Sequence, residues 1–396
     1  MRRSADVFAT LWIFFRLGCT SFGGPIAHLG YFRHEFVERR RWLEEKDYAD
    51  LVALCNFLPG PASSQVGIAL GITRAGLPGG FAAWLGFTLP SAVALVAFAL
   101  GVEQLGVAAD AGWLQGLKVV AVAVVAQAVW GMGKTLCPDR LRASLAVAAA
   151  VIVLAWPGAG TQVLAILIGG LIGWRFLPPV QLEVAPGLRF PIGRAAALIA
   201  WALFFALLLV LPLLNTAFEH HALALFDGFY RDGALVFGGG HVVLPLLRNE
   251  VVPPGWIGDD AFLAGYGAAQ AVPGPLFTFA AYIGAAQQFA PNGIMGGALC
   301  LLAIFLPAFL LVVGALPYWE ALRQRSAMQR ALQGVNAAVV GILLAALYDP
   351  VWTSSIRTSG DFALASIGFV LLVFWKQPPL RVVVMSALGG AALAFL

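Results

Sequence analysis

Long apolar runs separated by short polar segments make up most of this sequence. Runs of this length predict helices that cross a membrane or are embedded in it. Twelve of them form two sets of six, at about 7–30, 48–75, 78–101, 112–132, 142–156 and 160–177, and at about 222–247, 261–288, 293–316, 332–348, 362–375 and 381–396. A thirteenth run, at about 195–215, lies between the two sets.

The composition narrows the class of protein. Hydrophobic residues make up 60% of the 396 residues, charged residues make up 11%, and the mean hydropathy is +0.86. A soluble domain contains roughly 45–50% apolar and about 25% charged residues. The chain is therefore predicted to be an all-α polytopic membrane protein, which excludes a cytosolic enzyme, a disordered chain and a secreted disulfide scaffold.

The net charge of +4 does not indicate a nucleic-acid partner. Most of the 24 Lys and Arg residues lie in short loops between apolar runs, where they report membrane orientation. The four cysteines are scattered, and no HExxH, GxSxG or carboxylate-dyad motif occurs. We therefore expect no cofactor, no bound metal and no enzymatic activity.

Two motifs rich in glycine and proline recur in the second half, in the same order and about 215 positions later. Phe-Gly-Gly-Pro at 22–25 corresponds to Phe-Gly-Gly-Gly at 237–240. Leu-Pro-Gly-Pro at 58–61 corresponds to Val-Pro-Gly-Pro at 272–275. The shared order and near-constant spacing predict a duplicated chain.

The duplication divides the chain into three parts. Residues 1–177 form the first repeat, 178–221 form a linker with one connecting transmembrane helix, and 222–396 form the second repeat. Six elements return the chain to its starting side, so one further crossing starts the second repeat on the opposite side. The repeats are therefore predicted to be inverted, as in many transporters.

The loop at 31–47 tests how the first elements lie in the membrane. It holds Arg33, Arg39, Arg40, Arg41 and Lys46. With the N-terminus in the cytoplasm of a bacterial-type inner membrane, this loop is cytoplasmic only if the first two elements are broken hairpins that re-enter on one face. A helix that breaks at Gly-Gly-Pro without turning back is the alternative.

The helix breaks are the predicted site of chemistry. Half-helix N-termini present free N–H groups and partial positive charge, which suits an anion. Three cations lie inside apolar elements, where a charge usually faces a cavity or a partner: Arg16, Arg231 and Lys118. The alternatives are snorkelling towards the membrane surface and, for Arg231, an ion pair with Asp227 or Asp232.

Side chains near the breaks are candidates to complete the ligand shell: Thr20, Ser21, Asn56, Ser63, Ser64, Gln65, Gln270 and Thr278. Each of them has packing or helix capping as its plainer interpretation. His28 and His241 follow the Gly-rich motifs and could titrate with transported protons, with a structural role as the alternative.

The motifs at 15–25 and 58–61, both echoed in the second half, resemble the chromate ion transporter family, and the resemblance covers nearly the whole chain. It implies efflux of chromate from the cytoplasm, and hence resistance to it. Together with the inverted repeats and the anion site predicted from the helix breaks, this predicts export by alternating access around a site between the repeats. The functional positions that the resemblance implies are Arg16, Phe22, Gly23, Gly24, Pro25, Pro59, Gly60, Pro61, Arg231, Phe237, Gly238, Gly239, Pro273, Gly274 and Pro275. Gly240, where the first half has Pro25, departs from the pattern and makes the halves unequal.

Other functions stay open at this level. Helix ends and arginines distinguish charge and shape more than the central atom, so sulfate or another oxyanion is an alternative substrate, carried by a transporter, an exchanger or a channel. An intramembrane enzyme and a scaffold are remote alternatives. Two fused repeats can form a complete unit, so the chain is expected to be a monomer or a homodimer in the lipid bilayer.

Overall fold

The structure, a computed structural model, describes residues 2–22, 24–104, 112–178, 192–237, 240–319 and 325–394. These residues form helices and the turns between them, with no strand. Among them, five helices are long and apolar enough to cross a membrane: Ala62–Val102, Gly112–Leu136, Arg194–Phe218, Gly293–Tyr318 and Ser326–Ser355. The prediction of an all-α polytopic membrane protein is confirmed.

Every predicted apolar run of the first half is helical. Its helices are α1 (Arg2–Thr20), α2 (Gly24–Phe32), α3 (Glu45–Phe57), α4 (Ala62–Gln104), α5 (Gly112–Leu136), α6 (Arg140–Ala155) and α7 (Ala159–Phe176). The long helix α4 contains the second part of the predicted run 48–75 and the whole run 78–101. It bends between them at Ala75 and Gly76, whose backbone angles are not helical.

The connecting helix is α8 (Arg194–Phe218), at the place of the single run predicted between the halves. The second half repeats the order of the first. Its helices are α9 (His221–Leu235), α10 (Val243–Val251), α11 (Asp259–Ala271), α12 (Phe279–Ala286), α13 (Gly293–Ala315), α14 (Ser326–Ala346), α15 (Ser359–Val373) and α16 (Pro379–Leu393).

The chain turns back on itself at the break between α1 and α2. The ring of Phe14 lies 5.5 Å from that of Phe32 and 5.0 Å from that of Phe36. An unbroken helix would separate Phe14 from Phe36 by about 33 Å. The equivalent break between α9 and α10 turns in the same way, because the Glu250 side chain packs directly on Gly228.

The second pair of breaks also reverses the chain. In the second half, the Tyr282 hydroxyl of α12 donates to the Ala261 carbonyl near the start of α11, at 2.9 Å. The rings of Phe262 and Phe279, from the same two helices, lie 5.1 Å apart. These contacts agree with the hairpin interpretation of the broken elements rather than with a helix that continues in one direction.

Equivalent residues of the two halves make equivalent contacts. Arg33 donates to Glu45 at 2.7 Å, and Arg248 donates to Asp259 at 2.8 Å. Likewise, the contact between Asp6 and Arg74 at 2.7 Å corresponds to the contact between His221 and Gln287 at 2.8 Å. The residue types differ in the second pair while the geometry is kept, which supports a duplicated architecture.

The two halves also pack against each other through their last helices. Helix α5 packs on α16 where Gly116 touches the Ser386 carbonyl, and α14 packs on α7 where Gly334 touches the Gly169 carbonyl. Each half therefore places its last helix against the other half. Such reciprocal contacts arise when two similar units are related by an approximate two-fold rotation, and they make one continuous apolar core.

Candidate functional site

The helix breaks of the two halves are joined by backbone hydrogen bonds. The Gly60 N–H donates to the Val236 carbonyl at 2.6 Å, and the Gly274 N–H donates to the Ser21 carbonyl at 2.9 Å. Gly60 and Gly274 are equivalent, and Ser21 and Val236 are equivalent, each directly before a Phe-Gly-Gly motif. We call this pair of reciprocal bonds the glycine clasp.

Glycine is required at both donor positions of the clasp. The φ angles of Gly60 and Gly274 are +118° and +101°, a region that residues with a side chain rarely adopt. A Cβ at Gly274 would lie 2.9 Å from the Ser91 hydroxyl, and one at Gly60 would lie 2.8 Å from the side-chain nitrogen of Gln65 and 3.4 Å from Ala308 Cβ. Ser91 and Ala308 follow the equivalent prolines of α4 and α13, so each turn also contacts the other half.

The clasp gathers most of the sequence-predicted motif residues. Gly60, Pro61 and Pro275 are buried. The remaining described motif residues are partly covered: Phe22, Gly24, Pro25, Pro59, Phe237, Pro273 and Gly274. The side-chain amide of Gln65 donates to the Pro59 carbonyl at 2.6 Å, which fixes the first turn. Gly23, Gly238 and Gly239 lie outside the described residues.

Several buried polar atoms around the breaks have no hydrogen-bond partner among the described residues. They are Ser21 Oγ, His28 Nε2, Ser64 Oγ, Gln65 Oε1, Thr88 Oγ1 and Gln270 Nε2. Natural proteins leave few buried polar groups unpaired, because each costs about 1–3 kcal/mol. A concentration of such groups beside broken helices is typical of a site that binds a polar ligand.

The two candidate histidines are engaged differently. His28 Nδ1 lies 3.3 Å from the Ser63 hydroxyl, and no described residue hydrogen-bonds its other ring nitrogen. His241 Nδ1 lies 2.8 Å from the Tyr266 hydroxyl. Thr278 donates to the Pro275 carbonyl at 2.7 Å, which is a local turn contact, and Asn56 is exposed.

Arg231 is already paired with carboxylates. Its guanidinium lies 3.3 Å from Glu250 and 3.5 Å from Asp227. Asp232, only 4% exposed, lies within electrostatic range of all three. The ion-pair alternative for this arginine is therefore present in the structure, although an anion could still approach the partly exposed guanidinium.

Arg16, the equivalent arginine, is exposed and has no carboxylate partner among the described residues. Glu35, the counterpart of Glu250, is bound instead by Arg40 and Arg39 at 2.6 and 2.9 Å. Burial alone would raise the pKa of Glu35, but hydrogen bonds from Arg40 and Arg39 hold that pKa below its usual value. Arg16 is therefore the free cation of the pair, one helical turn before a break.

Lys118 is fully buried and reaches out of α5 to the second half. Its ammonium lies 3.0 Å from Asp260, at the start of α11, and Arg357 lies 3.3 Å from the same carboxylate. The counterpart of Lys118 is Asn336, so the repeat does not produce a second, equivalent ion triad. A buried cation paired in this way joins α5 to α11.

Sequence reasoning did not single out Thr88, Glu250 or Asp260. Glu250 and Asp260 lie near the ends of helices, where a carboxylate looks like an ordinary surface charge. Thr88 lies in a long apolar run and shows no motif. A comparison of equivalent positions would have singled out Thr88, because a polar residue in the first half replaces Phe305 of the second.

Comparison with known proteins gives consistent matches along the chain. The family model described as Chromate transporter matches residues 8–174 and again residues 223–393. A chromate transport protein of Pseudomonas aeruginosa is 30% identical over 96% of this chain and 90% of its own length. A probable chromate transport protein of Synechococcus elongatus is 27% identical over 95% of this chain and 93% of its own length. A chromate transport protein of Cupriavidus metallidurans is 28% identical over 95% and 90%, respectively. No solved structure matches the chain.

Proposed function

This chain belongs to the chromate transporter family, and we propose that it exports chromate from the cytoplasm by alternating access around an anion site at the glycine clasp. The observation that carries this proposal is the meeting of four broken helices of two repeats beside unpartnered buried polar atoms. Transporters of inverted-repeat architecture bind substrate at such discontinuous helices.

The chemistry of the clasp region suits a tetrahedral dianion. Helix N-termini, hydroxyl groups and the free guanidinium of Arg16 all donate hydrogen bonds, and guanidinium binds oxyanions through two parallel bonds. Arg16 is the residue that we expect to attract and orient the anion. Arg231 is held by Glu250 and Asp227, and we assign it a role in keeping the second half charge-balanced.

The membrane potential alone favours export. Moving one charge through 100 mV is worth about 2.3 kcal/mol, so a dianion that leaves a negative-inside cell gains about 4–5 kcal/mol. The reciprocal contacts between halves offer a way to alternate access, because two similar hairpin pairs can open in turn while the clasp stays at the pivot. This role of the clasp requires the inverted orientation of the repeats.

Uptake of labelled chromate into everted membrane vesicles tests the proposal, with sulfate as competitor. We expect saturable uptake by the wild type. Arg16→Gln should reduce uptake by about tenfold or more at an unchanged protein level, since a charge-assisted hydrogen bond is lost. The matched control is Arg140→Gln, which removes an exposed cation at the start of α6 and should leave uptake unchanged.

Wild-type vesicles that take up no more chromate than empty ones, with or without imposed proton and charge gradients, would overturn the proposal. Uptake of labelled sulfate without uptake of chromate would show an oxyanion transporter with a different substrate. Equal loss of uptake in both arginine variants would remove the specific role of Arg16.

A further inference from the structure

We propose that the oxyanion is held by one half only, in a polar nest formed by Ser21, His28, Ser63 and Thr88. The second half would supply the wall of the site and its movement but few of its ligands. This inference rests on the proposed function and deepens it. It assigns the anion to side chains of the first half whose counterparts in the second half are apolar.

The members of the nest surround the place where the first break meets α4. His28 Nδ1 is 3.3 Å from Ser63 Oγ, and the ring of His28 is 5.2 Å from that of Phe87. A Cβ at Gly274 would lie 3.2 Å from the Phe87 carbonyl, so this part of α4 also adjoins the clasp. Thr88 follows Phe87 directly. The Ser21 carbonyl accepts the clasp bond from Gly274, which brings the nest to the boundary between the halves.

The equivalent positions of the second half are apolar. Val236, Val243, Phe277 and Phe305 replace Ser21, His28, Ser63 and Thr88. The rings of Phe277 and Phe305 contact each other with centroids 5.8 Å apart. Aromatic side chains therefore pack together in the second half at positions where the first half has hydroxyl-bearing residues.

Three members of the nest carry the evidence for a ligand. Ser21, His28 and Thr88 are each at least 99% buried, and Ser21 Oγ, His28 Nε2 and Thr88 Oγ1 have no partner among the described residues. A packing role would favour the apolar residues that the second half uses. Burying unpaired polar atoms is costly, so a bound polar group gives these positions a reason to be polar.

The donor chemistry of the nest favours an anion. None of its four members is a carboxylate. Both unpartnered hydroxyls can donate, and a nearby negative charge favours the form of His28 that carries a proton on Nε2, which then also donates. A tetrahedral oxyanion offers acceptor oxygens in several directions. The amide groups at the start of α4, next to Ser63, add partial positive charge.

The test is the binding of chromate and of sulfate to the purified full chain, compared between Thr88→Val and Thr10→Val. Both changes replace a buried threonine by its isostere on a helix. Thr10 donates to the Asp6 carbonyl, whereas Thr88 Oγ1 has no partner within the described parts of the chain. We expect Thr88→Val to raise the Kd for chromate by about tenfold or more, because a hydrogen bond to a charged group is lost. Thr10→Val should leave that Kd unchanged.

The Tm of Thr88→Val, measured without anion, distinguishes a ligand-binding role of Thr88 from a packing role. Removal of an unpaired buried hydroxyl should leave the Tm of Thr88→Val at or above that of the wild type. Ser21→Ala is the second variant, should Thr88→Val not reach the membrane, and it should weaken binding in the same way.

An unchanged Kd in both nest variants would overturn the nest while leaving the proposed function standing. A wild type that binds neither chromate nor sulfate would overturn both.

Discussion

Arg16 and Arg231 occupy equivalent positions of the two halves, yet their charges meet different surroundings. Arg231 lies among three carboxylates, with Glu250 at 3.3 Å and Asp227 at 3.5 Å. Arg16 has no such partner among the residues that the structure describes. Removal of the two charges should therefore have different consequences.

We expect Arg231→Gln to destabilise the protein, unlike Arg16→Gln. The change leaves Asp227, Asp232 and Glu250 close together without a cation. Loss of one partner from a partly buried ion pair costs about 1–3 kcal/mol, which lowers the Tm by several degrees. Thermal unfolding in detergent, followed by the fraction that stays monodisperse, measures the difference.

The double change Arg231→Gln with Glu250→Gln serves as the control for charge balance. It should recover part of the lost Tm, because one of the unpaired carboxylates is removed. A Tm equal to that of the wild type in the single Arg231→Gln variant would show that this cluster does not support the fold.

At the scale of the helices, each break is stabilised by a backbone hydrogen bond to a break of the other half. The turns at Gly60 and Gly274 have positive φ angles and no room for a side chain. The same reason explains why equivalent glycines occur in both motifs although the neighbouring side chains have diverged. The clasp therefore depends on backbone shape, and the chemistry around it is free to differ between halves.

Gly274→Ala should damage both folding and transport. Alanine at a positive φ angle costs about 1–2 kcal/mol, and its Cβ would also press on Ser91. The matched control is Gly30→Ala in α2, where a Cβ meets nothing within 4 Å and alanine favours the helix. The measurement is the Tm together with chromate uptake, and equal behaviour of the two variants would contradict the requirement for glycine.

At the scale of the whole molecule, the reciprocal contacts indicate a two-fold relation between halves, whereas their orientation in the membrane stays a prediction. It follows from α8, the odd helix between two equal sets. Glu44 and Gly258 are suitable reporters, because they are equivalent, exposed and extended, with φ and ψ of −76° and 159° and of −75° and 152°.

Single cysteines at these two positions, in a chain without its four native cysteines, test the inversion. In intact cells a membrane-impermeant maleimide should label Gly258→Cys and not Glu44→Cys. Everted vesicles should give the opposite pattern, since the loop at 31–47 is rich in Arg and belongs in the cytoplasm. Labelling of both positions from the same side would contradict inverted repeats.

The sequence was enough to predict the helices and the breaks. The run at about 195–215 is the helix Arg194–Phe218, and the interruptions at Gly-Gly-Pro and Pro-Gly-Pro end helices as predicted. The length of an apolar run and the position of a proline are local properties, so both can be recognised directly in the sequence. The motif spacing likewise predicted a duplication, and the same family model matches the chain twice.

The partners of the charged residues could not be predicted from the sequence. Lys118 and Asp260 are 142 positions apart in the sequence and lie in different halves. Gly60 and Val236, which share a backbone hydrogen bond, also lie in different halves. No local pattern encodes such contacts, because they depend on how two helical hairpins pack.

The sequence by itself determined that this is a membrane protein of duplicated helical elements with broken helices at fixed places. Only the tertiary structure decided which charges are paired and which buried polar atoms lack a partner among the described residues, because hydrogen bonding and charge pairing are satisfied in three dimensions.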